Sequence, residues 1–134
     1  MASGNSLINI VCIEDEPEMI ELVKLILTRK GYKVHGAQGG QQGLELIRQV
    51  KPNLVLLDLM MPDMDGWEVY QQMKADPDVK DIPVIVVTAK AQSIDKILGL
   101  HIAKVNDYIT KPFGPSELLQ SIQGVLGRET QPQE

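Results

Sequence analysis

A chain of 134 residues that is 43% hydrophobic and 23% charged has the make-up of one globular domain, which excludes a disordered chain and a membrane class. Eighteen acidic residues against 13 basic ones leave a net charge of −5, which argues against a nucleic-acid-binding domain and favours cationic partners, metal ions included. The single cysteine, Cys12, cannot close an intrachain disulfide, no stretch reaches the ~18 apolar residues of a membrane span, and residues 1–9 lack a signal-peptide pattern, so a cytoplasmic protein with no membrane contact is expected.

Residues 1–7 and 128–134 are polar without periodicity and predict flexible termini around a domain over 8–127. The first strand is expected over 8–13. Pro17 then suits a first helical turn, and Met19, Leu22, Val23, Ile26 and Leu27 follow at helical spacing until Gly31. A second strand over 33–37 precedes a helix over 41–50 with Leu44, Ile47 and Val50 inward. The run Leu54-Val55-Leu56-Leu57-Asp58 is a third strand, bounded by the Pro62/Asp63/Gly66 turn signal. A helix over 67–75 ends near Asp76-Pro77, and a fourth strand covers 84–88. A helix over 93–103 carries Ile94, Ile97, Leu98 and Ile102, and a fifth strand covers 107–110. The last helix, over 115–126, carries Leu118, Leu119, Ile122, Val125 and Leu126.

Strands that alternate with helices imply right-handed crossovers and a parallel sheet covered on both faces. The first, third and fourth strands are continuous apolar runs and belong at the centre; the second and fifth carry polar residues and suit edges. The order 2-1-3-4-5, a doubly wound five-stranded α/β sheet, meets those demands and places a switch point between the first and third strands.

All strands of such a sheet end on one side. Glu14-Asp15-Glu16, Asp58, Thr88 and Lys111 therefore converge from four strand ends. Any one of them alone is ordinary: an Asp at a turn, a β-branched strand residue, a loop lysine. Together, crowded carboxylates call for a hard divalent cation, and an ammonium and a hydroxyl beside them suit a phosphoryl group. The chemistry these residue types support is Mg²⁺-assisted phosphoryl transfer to a carboxylate nucleophile.

Glu14-Asp15, Asp58 within Leu-Leu-Asp-Leu-Met-Met-Pro-Asp-Met-Asp-Gly, Val87-Thr88-Ala89 and Tyr108-Ile-Thr-Lys111-Pro112-Phe113 together resemble the receiver domains of two-component response regulators, from about Asn9 to Leu126. The resemblance implies the flavodoxin-like (βα)5 three-layer sandwich. It implies that Asp58 is the phosphoacceptor, supplied by a sensor histidine kinase or a histidine phosphotransfer protein. It implies Mg²⁺ or Mn²⁺ held by Asp15, Asp58 and the Met60 backbone carbonyl, with Glu14 acting directly or through water. Lys111 would pair with the phosphoryl oxygens, while Thr88 and Tyr108 would form the switch. Met60 and Lys90, two residues past Asp58 and Thr88, would tune dephosphorylation. A downstream protein target would meet the face of the helix over 93–103, the fifth strand and the last helix, where phosphorylation can also drive a homodimer.

Three departures from that pattern stand out. Glu14 replaces a common aspartate, Lys104-Val105 replaces a usual Gly-Ala before the fifth strand, and Gly114 stands where a capping side chain is common. Glu16, Asp63 and Asp65 read as helix-end and turn chemistry, and His35 and His101 as surface residues. A haloacid-dehalogenase-type phosphatase needs a second acid two residues after the nucleophile, where this chain has Met60. Flavin binding on the same fold needs a neutral phosphate loop, which Glu14-Asp15-Glu16 would not provide. A phosphorylation-independent receiver is disfavoured by the complete acidic, hydroxyl and lysine set. The eight residues after Leu126 cannot form an output domain, so the chain either acts alone or is a receiver cut from a longer regulator.

Overall fold

The computed structural model describes residues 7–89 and 105–130. In chain order the elements are β1 (Asn9–Ile13), α1 (Pro17–Thr28), β2 (Lys33–Ala37), α2 (Gly40–Val50), β3 (Leu54–Asp58), α3 (Gly66–Lys74), β4 (Val84–Ala89), β5 (Asp107–Lys111) and α4 (Pro115–Thr130). The helix predicted over 93–103, with His101, lies outside the described residues, as do Lys90 and Lys104.

The five strands form one parallel sheet in the order β2-β1-β3-β4-β5, as the distribution of apolar runs predicts. Successive residues of a strand face opposite ways, so each central strand feeds two cores. Ile10, Cys12, Leu54, Leu56, Ile85 and Val87 pack under α1 and α4. Val11, Ile13, Val55, Leu57, Val84 and Val86 pack under α2 and α3 on the other face. β3 is buried at every position, whereas β2 and β5 are partly exposed, as edge strands should be. Among the described residues no helix is long and apolar enough to cross a membrane.

The helix faces follow the predicted periodicity with one correction. Leu22 is not inward: it is 42% exposed, while Ile20, absent from the predicted stripe, is 5% exposed and joins Val23, Ile26 and Leu27 on the sheet. At 100° per residue Leu22 points about 100° away from the centre of that arc. Hydrophobicity alone could not set the phase, because Leu22 and Leu25 are as apolar as the residues they flank. The last helix also runs on to Thr130, past the predicted end at Leu126. Gly114 at its start is served by Glu117, whose Oε1 accepts from the Gly114 N–H at 2.9 Å, half of a capping box.

The correction on α1 is measurable by urea unfolding. Ile20→Ala is expected to cost about 3 kcal/mol and Leu22→Ala under about 1 kcal/mol. Equal losses would mean that the face of α1 is misplaced.

Candidate functional site

β1 hands the chain on to Glu14, whose N–H still bonds Ala37 O at 3.0 Å, so the first acidic residue is held by the sheet ladder. Asp58 is the last residue of β3, Thr88 the penultimate residue of β4 and Lys111 the last of β5. The parallel register carries all of them to one sheet edge, with Asp58 beside Val87 and Thr88 beside Thr110. Glu14, Asp58 and Thr88 are 2–3% exposed, and Asp15 is half-buried above them.

Lys111 is the counter-charge. Its Nζ lies 2.9 Å from Glu14 Oε1 and 3.6 Å from Asp58 Oδ2. Glu14, Asp15 and Asp58 each offer an oxygen, and these oxygens lie within 4.8 Å of one another, close enough to hold a metal ion. All three are hard donors, the kind Mg²⁺ prefers. Burial pushes the Glu14 carboxyl up to about 7; the Lys111 hydrogen bond opposes the rise, and the Asp58 charge adds to it. Lys111 is itself shifted upward, since Glu14 and Asp58 outweigh the burial that would lower it.

The surroundings have a similar economy. The Met60 N–H donates to Asp58 Oδ1 at 3.1 Å, which orients the carboxylate from its own loop. Thr88 Oγ1 is buried and has no hydrogen-bond partner among the described residues, a state that costs about 1–3 kcal/mol in an apolar setting. Beneath the carboxylates a cavity of about 10 Å³, lined by Cys12, Glu14, Asp58 and Phe113 among others, is at the threshold for a single water. Burial pushes the Cys12 thiol up to about 12, so it is inert there.

Gly66 does more than turn chemistry. A Cβ at this position would lie 2.5 Å from Asp58 O and 2.6 Å from Leu59 Cα, and its N–H donates to Leu59 O at 3.1 Å. The start of α3 therefore rests directly on the backbone of the acidic residue. Asp65, read in the sequence as turn chemistry, also caps that helix by accepting from the Trp67 N–H at 2.9 Å. Asp63 does not act locally: it accepts from the Gly40 N–H at the start of α2.

Not every residue marked in the sequence joins this ring. Met60 is 58% exposed on the loop and meets Asp58 through its backbone N–H, and Lys90 lies outside the described residues. Tyr108 is 40% exposed on β5 beside Val86, two residues before Thr88. His35 sits on the edge strand, bonded to Asn9 Oδ1 at 3.0 Å and away from the acids. Asn106 went unnoticed in the sequence. Its Oδ1 accepts from the Val84 N–H at 2.9 Å and its N–H donates to Val84 O at 3.0 Å, which pins the chain before β5 to the start of β4.

Residues 10–123 match the family described as the response regulator receiver domain. The chain is 40% identical over 119 residues to the DNA-binding dual master transcriptional regulator RpaA of a Synechocystis strain, covering 89% of this chain and 49% of that protein. It is 36% identical over 126 residues to the DNA-binding response regulator MtrA of Mycolicibacterium smegmatis, covering 93% of this chain and 54% of that one. The chain thus spans about half the length of these curated relatives. A solved CheY-like receiver domain protein from Methanospirillum hungatei superposes with a TM-score of 0.81 at 32% identity, covering 92% of this chain and 97% of that one. The chain belongs to the response regulator receiver domain family. It is a flavodoxin-like module of two-component phosphorelay signalling, and such domains interact with histidine kinases.

Two substitutions separate the charges in this site by sign. In cation-free buffer at pH 8, Asp58→Asn should raise stability by about 1 kcal/mol, because it removes one of the crowded carboxylates and leaves Lys111 paired with Glu14. Lys111→Met should lower stability by about 3 kcal/mol by leaving both buried acids without their ammonium. Urea unfolding distinguishes the signs; a loss for Asp58→Asn would mean that Lys111 fully offsets the repulsion.

Proposed function

We propose that Asp58 accepts a phosphoryl group from a phosphohistidine of a sensor kinase or a histidine phosphotransfer protein, and that the domain changes its partner-binding face in response. The observation that carries this reading is the grouping at one sheet edge of a buried carboxylate, a lysine ammonium within 3.6 Å of it and a buried hydroxyl without a hydrogen-bond partner among the described residues. In the transfer an Asp58 oxygen bonds to phosphorus as the donor's P–N bond breaks, and the imidazole leaves with the bonding electron pair. The Lys111 ammonium would meet the charge of the phosphoryl oxygens, and the Thr88 hydroxyl would donate to one of them.

Asp15, Asp58 and the Met60 carbonyl would hold Mg²⁺ or Mn²⁺, with Glu14 acting directly or through water. The oxygen-only donor set and the excess of carboxylate over ammonium support this. When bound, the cation neutralises charge on the transferring phosphoryl group. The chemistry is confined to the domain's own phosphorylation and slow autodephosphorylation, with no external substrate turned over.

When Thr88 turns toward the phosphoryl group, space opens along β4, and Tyr108 on the neighbouring strand can rotate inward. Its exposure in this structure supports a resting, outward position. The readout face would include β5 and α4 and would take a downstream protein or a second copy of the domain. RpaA and MtrA are named as DNA-binding proteins. The net charge of −5 here supports a signalling contact, without direct nucleic-acid binding by this domain.

Incubation with a small acyl phosphate and Mg²⁺ should add one phosphoryl group per chain, labile to hydroxylamine, and Asp58→Asn should abolish the mass shift. Thr88→Ala should still take up phosphoryl but lose most of the amide-shift change at Tyr108. Uptake by Asp58→Asn at the wild-type level would move the acceptor elsewhere.

Met60 and Lys90 would set how long the signal lasts. Met60 is large, exposed and without a strong donor or acceptor, so it crowds an attacking water and cannot align it. Decay of the purified phosphoprotein should therefore be slow, and Met60→Asn with Lys90→Glu should accelerate it by about tenfold, less than the ~10²–10⁴-fold of a fully positioned acid–base group because these side chains only help to hold the water. Fast decay in the wild type would contradict the assignment.

A further inference from the structure

α2 begins at a pair of residues, Gly39 and Gly40, that bring no side chain to its amino end. The first N–H groups of a helix need acceptors from outside it. One is supplied from 23 residues further on: the Gly40 N–H lies 3.2 Å from Asp63 Oδ1 and 3.1 Å from Asp63 Oδ2, and the Gln41 N–H lies 3.5 Å from Oδ2. The negative charge meets the positive end of the helix dipole.

The two glycines are shaped to this visitor. Gly39 has φ +105°, and a Cβ there would lie 2.9–3.1 Å from the Asp63 carboxylate. A Cβ on Gly40 would lie 2.8 Å from Met64 Cβ and 2.9 Å from Met64 Sδ. The amino end of α2 is thus a seat for Asp63-Met64, in the middle of the loop that leaves Asp58. Leu59, Met61 and Met64 of that loop pack into the core beside α2 and α3, but its other described hydrogen bonds are local: Met60 N–H to Asp58, Gly66 N–H to Leu59, and Trp67 N–H to Asp65. Asp63 differs in carrying its hydrogen bonds to a separate element, α2.

We propose that Asp63 is a positioning residue: by capping α2 it sets the resting path of the loop between Asp58 and α3, and so prepares the acidic site for its cation. The inference rests on the phosphoacceptor and metal reading above. Asp63 touches neither the carboxylate ring nor Lys111 in the contacts described, so its influence passes through the backbone of residues 59–65. A loop released from α2 samples more paths, and the cation must then order it on binding. The loss falls on affinity more than on the rate at saturating cation.

Asp63 is exposed, so its substitution leaves the cores intact. The test compares wild type, Asp63→Ala and Asp63→Asn by amide exchange at Gly40 and Gln41, by Mg²⁺ titration followed through the amide shifts of residues 58–65, and by acyl-phosphate uptake at saturating Mg²⁺. For Asp63→Ala the two amides should exchange about fivefold faster, the scale of a lost helix cap, and the Mg²⁺ midpoint should rise by a similar factor. Uptake at saturating Mg²⁺ should stay within about twofold of wild type. Asp63→Asn keeps an acceptor oxygen and should restore part of both losses. Faster exchange with an unchanged Mg²⁺ midpoint would reduce Asp63 to a helix cap and overturn the proposal, as would unchanged exchange. Retained uptake in Asp58→Asn would instead remove the phosphoacceptor reading, while the exchange and Mg²⁺ arms still judge Asp63.

Discussion

One ammonium, delivered by the last residue of the edge strand β5, lies against two carboxylates that the sheet buries almost completely. With Asp15 included, three acids face one lysine, a formal excess of two negative charges when all are ionised. Such an arrangement persists only because the strands and their cores over-determine it. Glu14 is held by the β1–β2 ladder, Asp58 by β3 and the Met60 N–H, and Lys111 by its pairing to β4. The fold therefore gives up stability at the place where the chain meets its chemistry, and the two cores supply the excess that makes this tolerable. Any ligand that brings positive charge to this edge acts on a site already biased toward it.

Legibility in the sequence followed the range of the interaction. The apolar runs of β1, β3 and β4 report burial on both faces directly, and the topology of a parallel sheet then places Glu14, Asp58, Thr88 and Lys111 together without further information. The phase of α1 was harder. Leu22 and Ile20 have equal claims by hydropathy, and only the position of the sheet decides between them. That Thr88 Oγ1 finds no hydrogen-bond partner among the described residues is likewise invisible in a sequence, because satisfaction depends on what surrounds the hydroxyl.

Contacts made across long intervals were missed for a related reason. Asp63 lies in a turn-like sequence and satisfies turn chemistry on paper, yet it serves α2. The signal was present at the other end: Gly39-Gly40 opens a helix with no capping side chain, which means that an acceptor must arrive from elsewhere. Asn106 is a comparable case. The departure from the family pattern at Lys104-Val105 drew attention to this segment, but the contact that anchors it, Asn106 to Val84, comes from the residue that follows.

The burial of the central strands on both faces has a consequence for how the chain finds its alignment. In a sheet with one wet face, a slip of one residue turns apolar side chains toward water and is rejected at once. In β3 such a slip would exchange the occupants of two dry layers, Leu56 for Leu57, and expose neither. Oil alone is a poor ruler here. The polar groups at the strand ends mark the length instead: Asn53 Oδ1 accepts from the Asn9 N–H at 2.8 Å and Asn106 clasps Val84 at one end, while Glu14, Asp58 and Lys111 engage at the other. A displaced strand would drag a carboxylate into one of the apolar layers or strand it away from its ammonium. The residues that give the domain its chemistry are also graduation marks by which the chain reads off its own register.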